Sequence, residues 1–67
     1  MSDVVKVIEV LAESPVSWEE AAARAVEKAQ QTLRNIKSIY IKEFEARVEE
    51  GKITQYQINA KISFKLD

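Results

Sequence analysis

The end of the chain carries the pattern that most constrains its fold, because apolar side chains recur at every second residue there. The odd positions between them hold only Gln, Asn, Lys and Ser. Alternation with a period of two predicts a β-strand with one face in a core and one polar face. The predicted core face comprises Thr54, Tyr56, Ile58, Ala60, Ile62, Phe64 and Leu66.

Two predicted elements begin the chain. The segment Val4 to Leu11 is rich in β-branched residues and too short for a typical helix, which predicts a strand with apolar side chains on both faces. Ser17 and Glu20 have the spacing of a capping box, which predicts a helix from Trp18 to about Arg34. Its apolar stripe is mostly alanine and buries little area: Trp18, Ala22, Ala25, Ala29, Leu33 and Ile36.

The remaining residues predict a hairpin, with Ile36 to Glu50 as one strand, Gly51 in the turn and Lys52 to Leu66 as the other strand. The apolar phase changes near Lys42, which predicts a β-bulge. The helix returns the chain, so the first two strands run parallel to each other. The third strand runs in the opposite direction and can pair antiparallel with both only if it lies between them, which predicts the order 1-3-2. The bulge puts these side chains on the face away from the helix: Ser38, Tyr40, Glu43, Glu45, Arg47 and Gln57.

These elements predict an α+β fold of the β-α-β-β type, with residues 1–67 as one domain whose three-stranded sheet partly wraps one helix. A chain of 67 residues without Cys or His lacks the disulfides and the usual zinc ligands that stabilise small domains. Strands of about 14 residues reach roughly 45 Å, whereas the predicted helix reaches about 25 Å. Apolar residues on the overhang need a partner, so we expect a homo-oligomer.

The charge balance argues against several classes of partner. Lys and Arg number 10 against 11 Asp and Glu, so no basic field points to nucleic acid or to an anionic membrane. The segment from Met1 to Glu9 lacks the continuous apolar stretch of a signal peptide or a membrane span. We therefore expect a cytoplasmic protein.

Few residues carry chemistry. One glycine cannot form a phosphate loop, and without His or Cys no paired carboxylates stand beside a nucleophile, so we do not expect an enzyme. The carboxylates of Glu43, Glu45 and Glu49 offer oxygen ligands to Ca²⁺ or Mg²⁺, although a solvated strand face is the alternative. Trp18 is interpreted as a core or subunit contact. The amide of Gln57 either remains solvated or presents a donor and an acceptor to a heterocycle edge.

Two stretches resemble the dodecin family: SPVSWEEAAARAVEKAQQTLRNI, like its helix, and YQINAKISFKLD, like its closing strand. The resemblance covers Val4 to Asp67. It implies a hollow homododecamer of 23 symmetry that binds flavins, FMN or riboflavin, in pairs at two-fold contacts between trimers. A Trp on the second strand stacks on the flavin in such proteins, and the Gln of the Tyr-Gln motif, here Gln57, holds the pyrimidine edge.

Ser38 occupies the position of that stacking Trp, which forfeits about 1–3 kcal/mol per stacked ring. Glu45 lies where bacterial flavin binders often have Arg, so its carboxylate would oppose a flavin phosphate. Several motifs look closer to dodecin-like proteins described as calcium-binding, with Glu43, Glu45 and Glu49 as metal candidates by charge alone. We predict a small-ligand-binding and storage dodecamer with weak or lost flavin binding. The alternative is a calcium-binding or purely structural dodecamer.

Overall fold

The computed structural model describes residues 4–66. In chain order the elements are β1 (Val5–Ser14), α1 (Trp18–Ala29), β2 (Ile36–Glu49) and β3 (Lys52–Lys65). β3 lies in the middle of the sheet and pairs antiparallel with both neighbours, which gives the order β1-β3-β2. The predicted α+β class, element order and strand order are confirmed.

The β2–β3 hairpin closes through Glu50 and Gly51. The turn at Gly51 is confirmed, whereas Glu50, predicted as the end of the strand, belongs to the turn. Both residues have positive φ angles, 51° and 77°. A two-residue turn with positive φ at both positions matches the right-handed twist of the flanking strands, and glycine adopts this conformation without steric cost.

A register shift in β2 between Ile41 and Glu43 confirms the predicted bulge near Lys42. Two further shifts occur near the ends of the strand. We call the sheet face away from α1 the outer face. Cross-strand partners share a face, and the predicted outer-face residues of β2 pair with odd-numbered residues of β3: Ser38 with Ser63, Tyr40 with Lys61, Glu43 with Asn59, Glu45 with Gln57, and Arg47 with Gln55.

The core lies between α1 and the even-numbered side of β3. Ile58, Ala60 and Ile62 are at most 1% exposed, and Phe64 is 8% exposed, which confirms the predicted core face at these positions. Leu66 was wrongly placed in the core: it is 43% exposed, because it follows the last residue of β3. Ala21 is also fully buried, although the predicted helix stripe omitted it. Partly buried side chains complete the cluster: Val10, Ala12, Trp18, Ala22 and Ile39.

Two element boundaries differ from the prediction. The helix ends at Ala29 rather than near Arg34, because the next residues are exposed and form i→i+3 turns, with Thr32 N–H donating to Ala29 O at 3.1 Å. Exposed turns lack the packing that stabilises most protein helices. β1 continues past Leu11 to Ser14, which pairs with Tyr56. None of the helices in residues 4–66 has the length and apolar character needed to cross a bilayer.

The sheet extends well beyond its helical cover. The molecule measures 54 × 20 × 13 Å, whereas the 12 residues of α1 reach only about 18 Å. Large apolar side chains consequently remain exposed in the single chain, including Val7 at 53%, Leu11 at 67% and Phe44 at 66%. Residues 4–66 provide no second cover for the outer face of β1, as the sequence led us to expect.

Candidate ligand site

A cleft of about 290 Å³ opens on the outer face of the sheet. All three strands contribute to it: β1 supplies Leu11, β3 supplies Gln57 and Asn59, and β2 supplies Glu43 and Glu45. Phe44 and Ile58 also line it, so the cleft combines three apolar residues with two amides and two carboxylates.

Strand register explains why these residues meet. Leu11 and Glu43 are both partners of Asn59, so the three form one row across the sheet. Glu45 is a partner of Gln57 in the next row on the same face. The bulge near Lys42 keeps both carboxylates on this face, because a shift of one residue would turn them toward the helix.

Among the residues of the cleft, Asn59 carries a buried acceptor: its Oδ1 has no hydrogen-bond partner in the described part of the chain. A buried acceptor without a partner costs about 1–3 kcal/mol. A ligand that displaced the groups covering Oδ1 and donated a hydrogen bond to it would recover that free energy.

Two ion pairs cross the outer face from β2 to β1, over β3. Arg47 Nη2 lies 3.2 Å from Glu13 Oε1, and Lys42 Nζ lies 3.7 Å from Glu9 Oε2. All four side chains are at least 41% exposed, so each pair contributes at most about 1 kcal/mol to stability. The two cations neutralise carboxylates of β1, whereas the carboxylates of the cleft form no ion pair within the described part of the chain.

Trp18 supports the cleft from the helix side of β2. Its Nε1–H donates to the main-chain oxygen of Glu45 at 2.9 Å. The indole packs edge-on against Phe44 and Tyr56, with ring centroids 5.3 and 4.9 Å away. The apolar periodicity placed Trp18 on the buried stripe, but no sequence signal indicated its hydrogen bond to the strand that carries Glu45.

Ser38 does not lie in this cleft. Its Oγ is 2.6 Å from Oγ of Ser63, its cross-strand partner. Ser63 is six residues from Gln57 along β3, which corresponds to about 20 Å. Three residues were predicted for the flavin site. Within a single chain, Glu45 and Gln57 lie together, whereas Ser38 lies far from both.

The predicted metal candidates also separate into two groups. Glu43 and Glu45 line the cleft, whereas Glu49 lies beside the hairpin turn and accepts a hydrogen bond from Thr54 Oγ1 at 3.1 Å. Four residues of strand separate Glu49 from Glu45, or about 13 Å. Within residues 4–66, no three acidic, Cys or His side chains stand close enough to hold a metal ion.

Four residues line the cleft but were not among the predicted site residues: Leu11, Phe44, Ile58 and Asn59. The alternation in β3 did place Asn59 on the same face as Gln57. Leu11 reaches the cleft only through the pairing of β1 with β3, which joins residues almost fifty positions apart in sequence.

Comparisons with known proteins agree with this architecture. A family model described as Dodecin matches residues 4–67. Calcium dodecin from Mycobacterium tuberculosis is 42% identical over 64 residues, which cover 94% of this chain and 89% of that protein. A crystal structure of the calcium dodecin, described as calcium-chelating with a novel calcium-binding site, has a TM-score of 0.82 and 40% identity, covering 96% of this chain and 91% of that one. Dodecin from Streptomyces coelicolor has a TM-score of 0.92 and 29% identity, covering 97% and 93%.

Proposed function

This chain belongs to the dodecin family, and from that premise we propose that it assembles into a homododecamer that holds a small ligand on the outer faces of its sheets. The whole of residues 1–67 would form one binding domain, and its role would be storage rather than catalysis. The exposed apolar residues of β1 and β2 support assembly, because contact with further copies would bury them.

The observation that carries the ligand proposal is the cleft lined by the amide residues Gln57 and Asn59, of which Asn59 has a buried Oδ1 without a hydrogen-bond partner in residues 4–66. Two neighbouring amides offer donors and acceptors to the polar edge of a heterocycle. Gln57 is also the residue that the family resemblance assigns to the flavin pyrimidine. The primary candidate ligand is therefore a flavin, FMN or riboflavin.

We further propose that flavin binding is weak or lost in this member. Ser38 offers a hydroxyl where a stacking indole would contribute about 1–3 kcal/mol per ring. Because Ser38 lies about 20 Å from Gln57 along the sheet, a ligand that contacts both residues would take them from two different subunits. The loss of stacking would then affect a site shared between subunits.

A flavin titration tests this proposal. Riboflavin is titrated into the assembled wild-type protein and into Ser38→Trp, and quenching of flavin fluorescence is followed. We expect weak or no quenching by the wild type and at least a tenfold gain in affinity for Ser38→Trp, in line with one recovered stacking contact. Strong quenching by the wild type at submicromolar riboflavin would refute the weak-binding proposal.

Calcium is the second candidate ligand, and the 42% identity to a calcium dodecin favours it. Glu43 and Glu45 are the carboxylates of the cleft that form no ion pair in the described residues, and the neighbouring amide oxygens are also ligands that Ca²⁺ accepts. Glu49 lies too far along β2 to join them within one chain, although it remains a candidate across a subunit contact.

Isothermal titration calorimetry with CaCl₂ and MgCl₂ tests the cation proposal. We expect Glu43→Gln and Glu45→Gln to weaken Ca²⁺ binding at least tenfold, because each removes one anionic ligand. The control variant Glu27→Gln, which removes an exposed carboxylate of α1 outside the cleft, should leave it unchanged. Glu49→Gln should weaken it only if Glu49 contributes across a subunit contact. An absence of heat at millimolar Ca²⁺ would remove this candidate. If flavins also fail to bind, a purely structural dodecamer remains.

A further inference from the structure

The ion pair between Glu13 and Arg47 passes over β3 beside the amide of Gln57. Glu13 and Glu45 are the two cross-strand partners of Gln57, one on each side of it. Arg47 starts one row further along, opposite Gln55, and reaches across the sheet to Glu13 at 3.2 Å. Its guanidinium therefore meets Glu13 in the row of Gln57, beside the residues that line the cleft and not among them.

Among the charged residues near the cleft, Arg47 is the cation placed to reach an anionic ligand at Gln57. Glu43 and Glu45 bring two carboxylates that form no ion pair within residues 4–66. Lys42 is engaged by Glu9, and Lys61 lies in the row of Glu9 and Tyr40, beyond the far end of the cleft. An anionic group entering at Gln57 would meet two carboxylates and one guanidinium already paired to a third.

We propose that Glu13 determines the charge preference of the cleft by holding Arg47 away from the ligand, so that the cleft takes neutral ligands in preference to phosphorylated ones. This inference rests on the proposed ligand function of the cleft. Riboflavin and FMN differ by one phosphate group, so they separate the effect of charge from recognition of the ring. Releasing Arg47 from Glu13 would supply a charge-assisted hydrogen bond to that phosphate, the strongest type available to a side chain.

The test measures dissociation constants for riboflavin and FMN with the assembled Ser38→Trp protein, in which stacking brings both affinities into a measurable range. We expect Glu13→Gln to raise FMN affinity about tenfold relative to riboflavin. Adding Arg47→Gln to Glu13→Gln should abolish that gain. Glu9→Gln is the matched control, since it removes one negative charge and one ion pair from the same strand and face, and it should change the ratio less than twofold.

Each outcome separates this inference from the function on which it rests. A ratio that Glu13→Gln leaves within twofold would overturn the role of Glu13 while flavin binding by the cleft stood. An equal gain in FMN affinity relative to riboflavin from Glu9→Gln would show that the effect comes from net charge. That result would also overturn the role of Glu13. If none of the variants binds either flavin while native mass spectrometry shows them assembled, the inference and the flavin proposal both fail.

Discussion

The two faces of the sheet differ in how their side chains are buried and paired. The face toward α1 buries a small apolar cluster around Ile58 and Ala60, each at most 1% exposed. The outer face carries Leu11 at 67% exposure and, within residues 4–66, two carboxylates without ion pairs and an oxygen of Asn59 without a hydrogen-bond partner. The inner face buries the core around β3 but leaves Phe44 of β2 66% exposed, whereas the outer face combines exposed apolar area with acceptors that have no partner within residues 4–66. The difference indicates that the inner face stabilises the fold and the outer face supplies contacts to other molecules.

The largest expected effect comes from the inner face. Ile62→Ala removes a fully buried side chain and leaves a cavity, so it should lower the free energy of unfolding by about 2–5 kcal/mol. Lys61→Ala, its exposed neighbour on the outer face, should change it by less than about 0.5 kcal/mol. Urea unfolding at one fixed protein concentration measures both. Equal losses would show that the outer face contributes as much to the fold as the core does.

Trp18 packs on the helix side of the sheet and donates a hydrogen bond to the strand that carries Glu45. Its substitution should have the next largest effect on stability. Trp18→Phe keeps an aromatic ring beside Phe44 and Tyr56 but removes the hydrogen bond to the Glu45 main-chain oxygen. The loss of one hydrogen bond predicts about 0.5–1.5 kcal/mol less stability. Ligand affinity should fall as well, because the strand that carries Glu45 loses a support. Unchanged affinity in a folded variant would show that Trp18 serves the core alone.

The smallest effect on stability is expected at Asn59. Asn59→Leu replaces an unpaired buried acceptor by an apolar group of similar size, so stability should stay the same or rise by up to about 1 kcal/mol. The affinity of the ligand that the titrations identify should fall, because its hydrogen bond to Oδ1 is lost. Thermal unfolding and the matching titration measure the two effects. A loss of stability would mean that Oδ1 already has a partner in the assembly.

Local patterns were sufficient to predict most of the fold. The alternation in β3 identified the core face, and the phase change near Lys42 identified the bulge that keeps Glu45 beside Gln57. The predicted end of α1 was wrong, because no Gly or Pro follows Ala29 to mark it in the sequence. The helix ends where its side chains stop packing against the sheet. Ala21 was missed because it stands in a run of three alanines, whose spacing alone does not select the buried one.

The candidate site was less predictable, because it depends on pairing between distant strands. Face assignment within β2 and β3 brought Glu45 to Gln57, but the row of Leu11 and the bridge from Arg47 to Glu13 follow from the register of β1. Whether Asn59 finds a hydrogen-bond partner depends on the positions of side chains from all three strands. The separation of Ser38 from Gln57 likewise requires the register of the hairpin.

Our central claim is that other copies of the chain cover the exposed apolar residues of the outer face. The mass of the protein in solution tests this claim most directly. Native mass spectrometry at micromolar concentration should show one species of about twelve subunits, with closed symmetry and no open series of larger assemblies. A folded monomer at the same concentration would contradict the account, because the apolar residues of the outer face would then be exposed to water in the working protein.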